Sequence, residues 1–432
     1  PPALACDSRT DPIVSPESDR LRVALLAGTL GQGGAEKQLL YMARALVTAG
    51  VDVRAYSLTR GEHFEAPLRA IGVPPIWVGR LRHPVLRLPV LATAVRAFRP
   101  HVIQSAHNFV NLYAALLGPV LGAISLGAMR NSFKLSQQAS GFWTRWLIAA
   151  PNALLVNSQV VVEEIAESKL IARERLWFVP NALDLDEFDG HAAERSERPA
   201  AILVARLIQL KRVDCFLRAL AQARLSNPAL CGIVVGDGPE RSALENLARE
   251  LSLLPDHVTF LGARRDVPQL LARADMLVSS SDDEGCPNVI LEAMAARLPV
   301  VSTPAGDART IVQDDVTGYR VPFADVDAMA GRILGLAESP SLRRALGEAG
   351  RRYIEQSFSF AGLADRLLAI YRAVAEQRHD ERLYRVLSTY QSEGGVHHRQ
   401  HSSTTTAAGD VRGAEYTSNI DTEPVSTPAT RL

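Results

Sequence analysis

The stretch DDEGCPNVILEAM, residues 282–294, sets Glu284 and Glu292 eight positions apart around Gly285 and Pro287. Carboxylates accept hydrogen bonds from hydroxyl groups, so two of them beside a helix start can hold two ends of one polyhydroxylated ligand. Gly285 frees the backbone, and Pro287 or Asn288 opens a helix whose first amides can meet anionic or hydroxyl oxygens. Glu284 precedes that helix and Glu292 falls near its second turn, so the two need not face the same way. Solvated surface charge is the plainer account of any two glutamates, and the neighbours must decide between the readings.

Four further stretches carry chemistry-bearing residues just after short apolar runs. GTLGQGGAEKQ (28–38) outlines a glycine cradle for phosphate or carbonyl oxygens at a helix N-terminus. It is not a dinucleotide fingerprint, because Glu36 stands where the third glycine would be, and it lacks the Gly-Lys-Ser/Thr of a P-loop. ARLIQLKR (205–212) offers Arg206 and Lys211, two cations able to neutralise a diphosphate. VVGDGPER (234–241) repeats the strand, glycine turn and helix start, with Gly236 in the turn. His107 closes the run HVIQSAH.

The elements that must position these residues follow from the apolar patterning. The runs LRVALLAG, VDVRAYSL, PPIWVG, HVIQSAH, GAISLGAM and NALLVNS alternate with helical periodicity, as in Ala35 to Leu46. The rhythm restarts after a charged break at 184–198. AAILVARL, CGIVVGDG, HVTFLGA, ADMLVSS and PVVSTPAG are then separated by helical patterns at 211–225, 240–252, 266–274, 288–297 and 325–337. This predicts an α/β chain of two doubly wound, Rossmann-like units, whose ligands bind beyond the C-terminal strand ends. The first unit spans 21–182 and the second spans 199–360, with 183–198 between them. One helix from about 340 to 377 ends the fold, its 361–380 portion returning to the first unit. Residues 1–20 and 390–432 read as disordered tails, the second holding His397, His398 and His401.

Composition agrees with two cores: the chain has 432 residues, 47% of them hydrophobic. No apolar run is long enough for a membrane helix; LYAALLGPVLGAISLGAM (112–129) comes nearest and reads as helix, turn and strand. No basic-then-apolar leader follows Pro1. Cys6, Cys215, Cys231 and Cys286 lack paired or metal-ligand spacing, which fits a reducing, cytoplasmic setting. The formal net charge of zero hides an asymmetry: no acidic residue lies between Glu65 and Glu163, an interval holding Arg69, Arg80, Arg82, Arg87, Arg96, Arg99, Arg130, Lys134 and Arg145. Such a surface meets anions, and GFWTRWLIAA (141–150) adds an interfacial candidate, so an anionic membrane face is a candidate partner. Aromatics are sparse and no nucleic-acid motif is present.

Taken together, these motifs resemble the family 4 retaining glycosyltransferases of the GT-B architecture over residues 21–377. EGCPNVILEAMAARLPVVSTPAGD is the most specific part, supported by GGAE, His107, Arg206, Lys211 and GDGPER in order. The resemblance implies that a sugar moves from a UDP- or GDP-linked donor to a lipid-linked or polysaccharide acceptor in bacterial envelope glycan synthesis. It implies catalytic roles for Glu284, His107, Arg206 and Lys211. Gly33, Gly34, Gly236, Gly262, Val267, Gly285, Cys286, Pro287, Asn288, Val289 and Glu292 would line the donor, with Glu292 on the ribose and Gly262 and Val267 bordering the base. Arg130 and Asn131 are acceptor-side candidates. No metal or other cofactor is expected; Asp184-x-Asp186 and Asp325-x-Asp327 fall in loops away from the motif-bearing strand ends. Two departures are Cys286, where an aromatic is common, and Arg297, where glycine is frequent.

Other activities fit less well. A nucleotide-sugar epimerase shares the architecture, and a non-catalytic relative would bind the same donor. A glycoside hydrolase wants two carboxylates but no phosphate-binding set, and the broken glycine pattern disfavours a dehydrogenase.

Overall fold

The computed structural model describes residues 20–81, 83–190 and 198–393. The expectations for residues 1–19 and 394–432, including the His397, His398 and His401 cluster, lie outside the described residues, as do Arg82 and residues 191–197.

The first half is built on β1 (Arg22–Ala27), β2 (Asp52–Ser57), β3 (Ile76–Trp77), β4 (Val102–Ser105), β5 (Ile124–Met129), β6 (Ala153–Val156) and β7 (Leu176–Phe178). They form one sheet in the order β3-β2-β1-β4-β5-β6-β7. Every neighbouring pair is parallel, with Val23 opposite both Val53 and Val102. The second half holds β8 (Ala200–Val204), β9 (Cys231–Val235), β10 (Val258–Gly262), β11 (Met276–Ser279), β12 (Val300–Ser302) and β13 (Gly318–Arg320). Their order is β10-β9-β8-β11-β12-β13, again all parallel. Central strands such as β4, β5 and β6 are buried at every residue, the consequence of helices on both faces.

The strand order reverses direction between β1 and β4 in the first sheet and between β8 and β11 in the second. Helices leave these neighbours toward opposite faces, which opens a crevice beyond their C-terminal ends. GTLGQGGAEKQ and His107 sit at the first crevice; ARLIQLKR and DDEGCPN sit at the second.

Leu39, Met42, Ala43 and Leu46 give the helix Gly34–Thr48 an apolar stripe in the first core. The helix Leu363–Gln377 adds Leu367, Ile370 and Val374 to that same core, each side chain worth about 1.5–3 kcal/mol on burial. Tyr371 of this helix is fully buried and donates to Gln104 Oε1 of β4 at 2.6 Å. The last part of the chain therefore crosses back from the second half to the first.

Two expectations need correction. The terminal helix is not continuous: Pro340–Ser357 and Leu363–Gln377 are separate. Between them Leu183 accepts from Phe360 N and donates to Phe358 O, both at 2.8 Å, and Gly362 takes φ 82°. That pairing turns the chain from one half to the other. A further helix, Glu381–Glu393, fills the unassigned stretch after 380 and runs into the first residues of the tail expected at 390–432. Its Leu383, Val386 and Leu387 join the first core, at helical spacing within a polar-looking stretch. Finally, β7 and β13 went unpredicted because three residues at a sheet edge leave no periodicity to detect. The 112–129 stretch is a helix ending at Leu121, a left-handed Gly122 and β5, and no described helix is long and apolar enough to cross a membrane.

Candidate active site

The crevices of the two halves face each other, and a cavity of about 280 Å³ lies between them. Gly34, Arg130 and Asn131 line it from the first half; Arg206, Lys211, Glu284, Cys286, Pro287, Asn288 and Val289 line it from the second. Residues some 250 positions apart thus meet as the strand-end patterns require.

Glu284 lies in the loop after β11. It forms an ion pair with Lys211, and Ser281 Oγ donates to the same Oε1 at 2.8 Å. Lys211 comes from the loop after β8, adjacent to β11 in the sheet, so the topology itself brings the two together. Arg206, from the same loop, is exposed and makes no ion pair with any described residue. The helix Asn288–Ala295 begins at the cavity with Pro287 as its N-cap; Ile290 N–H donates to Pro287 O at 3.1 Å, and the Asn288 and Val289 amides have no intrahelical acceptor. Two cations, Arg206 and the paired Lys211, and a helix N-terminus therefore converge on a single space. This set suits a diphosphate.

Gly34 explains how closely the halves approach: a Cβ there would collide with the Asn288 side chain. Asn288 Oδ1 accepts from Asn181 Nδ2 at 2.7 Å, and Asn181 Oδ1 accepts from Asn157 Nδ2 at 3.0 Å and Arg130 Nη1 at 3.2 Å. Burial lowers the Arg130 guanidinium to about 10, and its Nε has no partner among the described residues. Gly285 packs on the backbone of Arg130 and Asn131, and its carbonyl accepts from Asp307 N at 2.9 Å.

His107 closes β4 and lies beside the glycine loop rather than on the cavity wall. Gly28 N–H donates to its Nδ1 at 3.2 Å, and its Nε2 stands 3.1 Å from Glu36 Oε1. Thr29 Oγ1 donates to the same carboxylate at 2.6 Å. Burial pushes Glu36 up, but the hydrogen bonds from His107 and Thr29 outweigh it and hold the carboxyl below the usual glutamate range. Gly33 caps the helix that carries Glu36.

Glu292 has different partners from Glu284 and is not among the residues lining the cavity. Its Oε1 meets Lys37 Nζ of the first half at 3.0 Å, and Lys37 also pairs with Glu187 at 3.1 Å. The two glutamates of the opening motif are thus each held by a lysine, Glu284 by Lys211 of the second half and Glu292 by Lys37 of the first. Gly236, Gly262 and Val267 form a separate rim. Gly236 N–H donates to Gly262 O at 2.8 Å, and Val267 starts the following helix. Gly236 has φ 132°, and a Cβ there would strike the Ala205 carbonyl, so glycine is needed for close packing beside the β8 loop.

Cys286 is buried in a core cluster of the second half, and that burial raises its thiol well above the ordinary range. Asp184 pairs with Arg44, and Asp325 caps the helix Val326–Glu338 by accepting from Ala328 N at 2.9 Å. No group of three metal-ligating side chains occurs among the described residues. Sequence reasoning missed Lys37, Glu187, Asn157, Asn181 and the Glu36–His107 contact. Lys37 lies one residue beyond GGAE, and Asn181 follows β7, but nothing local announces partners more than a hundred residues away.

Comparison with known proteins agrees with this geometry. Residues 32–187 match the family described as Glycosyltransferase Family 4, and residues 186–353 match Glycosyl transferases group 1. A GDP-mannose-dependent alpha-(1-6)-phosphatidylinositol monomannoside mannosyltransferase of Mycobacterium tuberculosis is 31% identical over 215 residues, covering 46% of this chain and 56% of that relative. A D-inositol 3-phosphate glycosyltransferase of Salinispora tropica is 27% identical over 404 residues, covering 81% and 83%. The chain spans about half the length of the first curated relatives it matches. Among solved structures, Anabaena HepE in complex with UDP and glucose superposes with a TM-score of 0.71 at 20% identity, covering 81% of this chain and 99% of that one. The chain folds as a GT-B protein and belongs to the glycosyltransferases, its first part of Family 4 and its second of group 1.

Proposed function

We propose that this protein is a retaining glycosyltransferase that moves a sugar from a UDP- or GDP-linked donor to a lipid-linked or polysaccharide acceptor in bacterial envelope glycan synthesis. The observation that carries the reading is the convergence of Arg206, the Lys211–Glu284 pair and the Asn288 helix start on one cavity between two facing sheets. The matched relatives named for GDP-mannose and inositol phosphate chemistry, and a fold neighbour bound to UDP and glucose, support it.

In this mechanism the donor diphosphate lies against Arg206, Lys211 and the helix N-terminus, which neutralise the charge that grows as the anomeric C1–O bond breaks. Glu284 accepts hydroxyls of the transferred sugar, and Glu292 accepts those of the ribose. The acceptor oxygen attacks C1 from the face the diphosphate leaves, and the departing phosphate oxygen takes its proton. Gly33 and Gly34 let the backbone approach this centre. Arg130 and Asn131 face the acceptor, and Gly236, Gly262 and Val267 border the base. The chemistry is electrostatic and uses no metal or other cofactor.

The same proposal puts the protein in the cytoplasm, peripheral on the inner face of the membrane. Phe142, Trp143 and Trp146 are 76%, 61% and 51% exposed, beside exposed Arg145. Thr144 between them and Leu147 and Ile148 just after them are buried, so the segment turns its aromatics outward from an anchored base. The test of function is transfer of radiolabelled sugar from UDP- and GDP-linked donors to a bacterial lipid extract. Donor breakdown without a labelled product, under all acceptors tried, would point away from transfer.

A further inference from the structure

Lys37 is held by three parts of the chain at once. It extends from the helix Gly34–Thr48 of the first half to Glu292 of the second, with Nζ 3.0 Å from Oε1. It reaches Glu187 of the connecting segment at 3.1 Å. Its ammonium lies 5.7 Å from the Tyr41 ring centre and 5.6 Å from that of Phe188, and Tyr41 OH donates to Glu187 Oε1 at 2.7 Å. The Lys37 and Glu292 side chains are 20% and 15% exposed, so solvent screens this contact weakly.

We infer that Lys37 is a positioning residue that sets Glu292 to receive the donor's ribose and couples donor binding to the seating of the first half on the second. The inference rests on the proposed donor site. Lys37 occupies Glu292 Oε1 and fixes the carboxylate plane, while Oε2 has no hydrogen-bond partner among the described residues. That oxygen is the one left for a hydroxyl. Burial lowers the lysine's hold on its proton, but Glu292, with Tyr41 and Glu187, outweighs this and holds the ammonium above the ordinary lysine range. Without the ammonium, Glu187 and Glu292 would be two like charges across the interface, and repulsion would turn Glu292 from its place. Separation of the two halves breaks the same contact, so an arrangement that seats Lys37 is the one that presents Glu292 correctly.

The experiment uses the full chain and the variants Lys37→Met, Lys37→Arg and Glu187→Gln, each checked for folding by near-ultraviolet circular dichroism. Calorimetric titration with UDP, GDP and inorganic pyrophosphate, which has no ribose, is paired with donor KM and kcat. Lys37→Met should weaken the bound nucleotide about tenfold and raise donor KM with kcat little changed, while pyrophosphate binds as in wild type. Lys37→Arg should restore most of the affinity. A folded Lys37→Met that binds nucleotide like wild type, or loses pyrophosphate equally, would overturn the inference and leave the donor site standing. Wild type that binds neither UDP nor GDP would overturn the donor-site reading, and this inference with it.

Discussion

His107 Nε2 stands 3.1 Å from Glu36 Oε1 while His107 Nδ1 accepts the Gly28 N–H at 3.2 Å. Because Nδ1 accepts, the ring proton of the neutral imidazole sits on Nε2 and is donated to Glu36. Both ring nitrogens are thereby engaged by protein groups, and neither is left to take a proton from an acceptor. His107 ties the end of β4 to the glycine loop through Gly28 and to the helix Gly34–Thr48 through Glu36.

Glu36 should therefore show in the acid limb of stability. Its folded carboxyl titrates below the unfolded value of 4.5, so its contribution is full above that pH and is lost as pH falls through the lowered value. Glu36→Gln should cost about 1–3 kcal/mol at neutral pH and flatten the stability loss below pH 4.5. Urea unfolding at pH 7 and at a series of acid values checks both. An unchanged acid limb would remove Glu36 from this role.

Lys211 and Glu284 are 20% and 17% exposed, so removal of one leaves the other poorly solvated. Lys211→Ala and Glu284→Gln should each cost about 1–3 kcal/mol, with the double variant less unstable than the sum. Lys211→Ala should also lower the transfer rate by roughly a hundredfold or more, since the leaving charge loses a fixed cation. Additive stability losses would mean that the two side chains do not interact in solution.

Asp307 of the second half acts as a cap on a helix of the first. Its carboxylate accepts from Ser158 Oγ at 2.7 Å, Gln159 N at 3.1 Å and Val160 N at 3.2 Å. Burial raises this carboxyl, and the three hydrogen bonds only partly offset that. Asp307→Ala should cost about 1–3 kcal/mol and widen the angle between the halves, visible as an increased radius of gyration in X-ray scattering. Asp307→Asn, which keeps an acceptor oxygen, should lose less.

Trp143→Ala/Trp146→Ala should leave the fold intact and release the protein from vesicles rich in phosphatidylglycerol. Both rings are more than half exposed, and truncating them removes the apolar area that would enter the headgroup region. Sedimentation with such vesicles at low and high salt is the measurement. Wild type that never sediments would contradict the membrane placement and leave the catalytic site untouched.

Much of this arrangement was legible in the sequence because parallel strands buried on both faces write themselves as apolar runs. LRVALLAG became β1, NALLVNS became β6, and EGCPNVILEAM became the loop and helix at the cavity. What escaped detection lacked a local signal. Lys37 is unremarkable in GGAEKQ until the fold carries it to Glu292. The helix Glu381–Glu393 hid its Leu383, Val386 and Leu387 stripe among polar residues beside an unpatterned tail. Arg297 shows the converse: it stands where glycine is frequent, and it takes φ 59°. Its ion pairs with Asp189 and Glu348, at 3.2 and 3.3 Å, accompany a backbone conformation that glycine adopts freely.

The central claim is that the cavity binds a nucleoside diphosphate sugar through Lys211 on the diphosphate side and Glu292 on the ribose side. Calorimetric titration of UDP, GDP, ADP and their common sugar conjugates into wild type, Lys211→Ala and Glu292→Ala tests it most directly. UDP or GDP should bind wild type at one site, and both variants should weaken it by about tenfold or more. Folded wild type that binds none of these nucleotides, or variants that bind them unchanged, would contradict it.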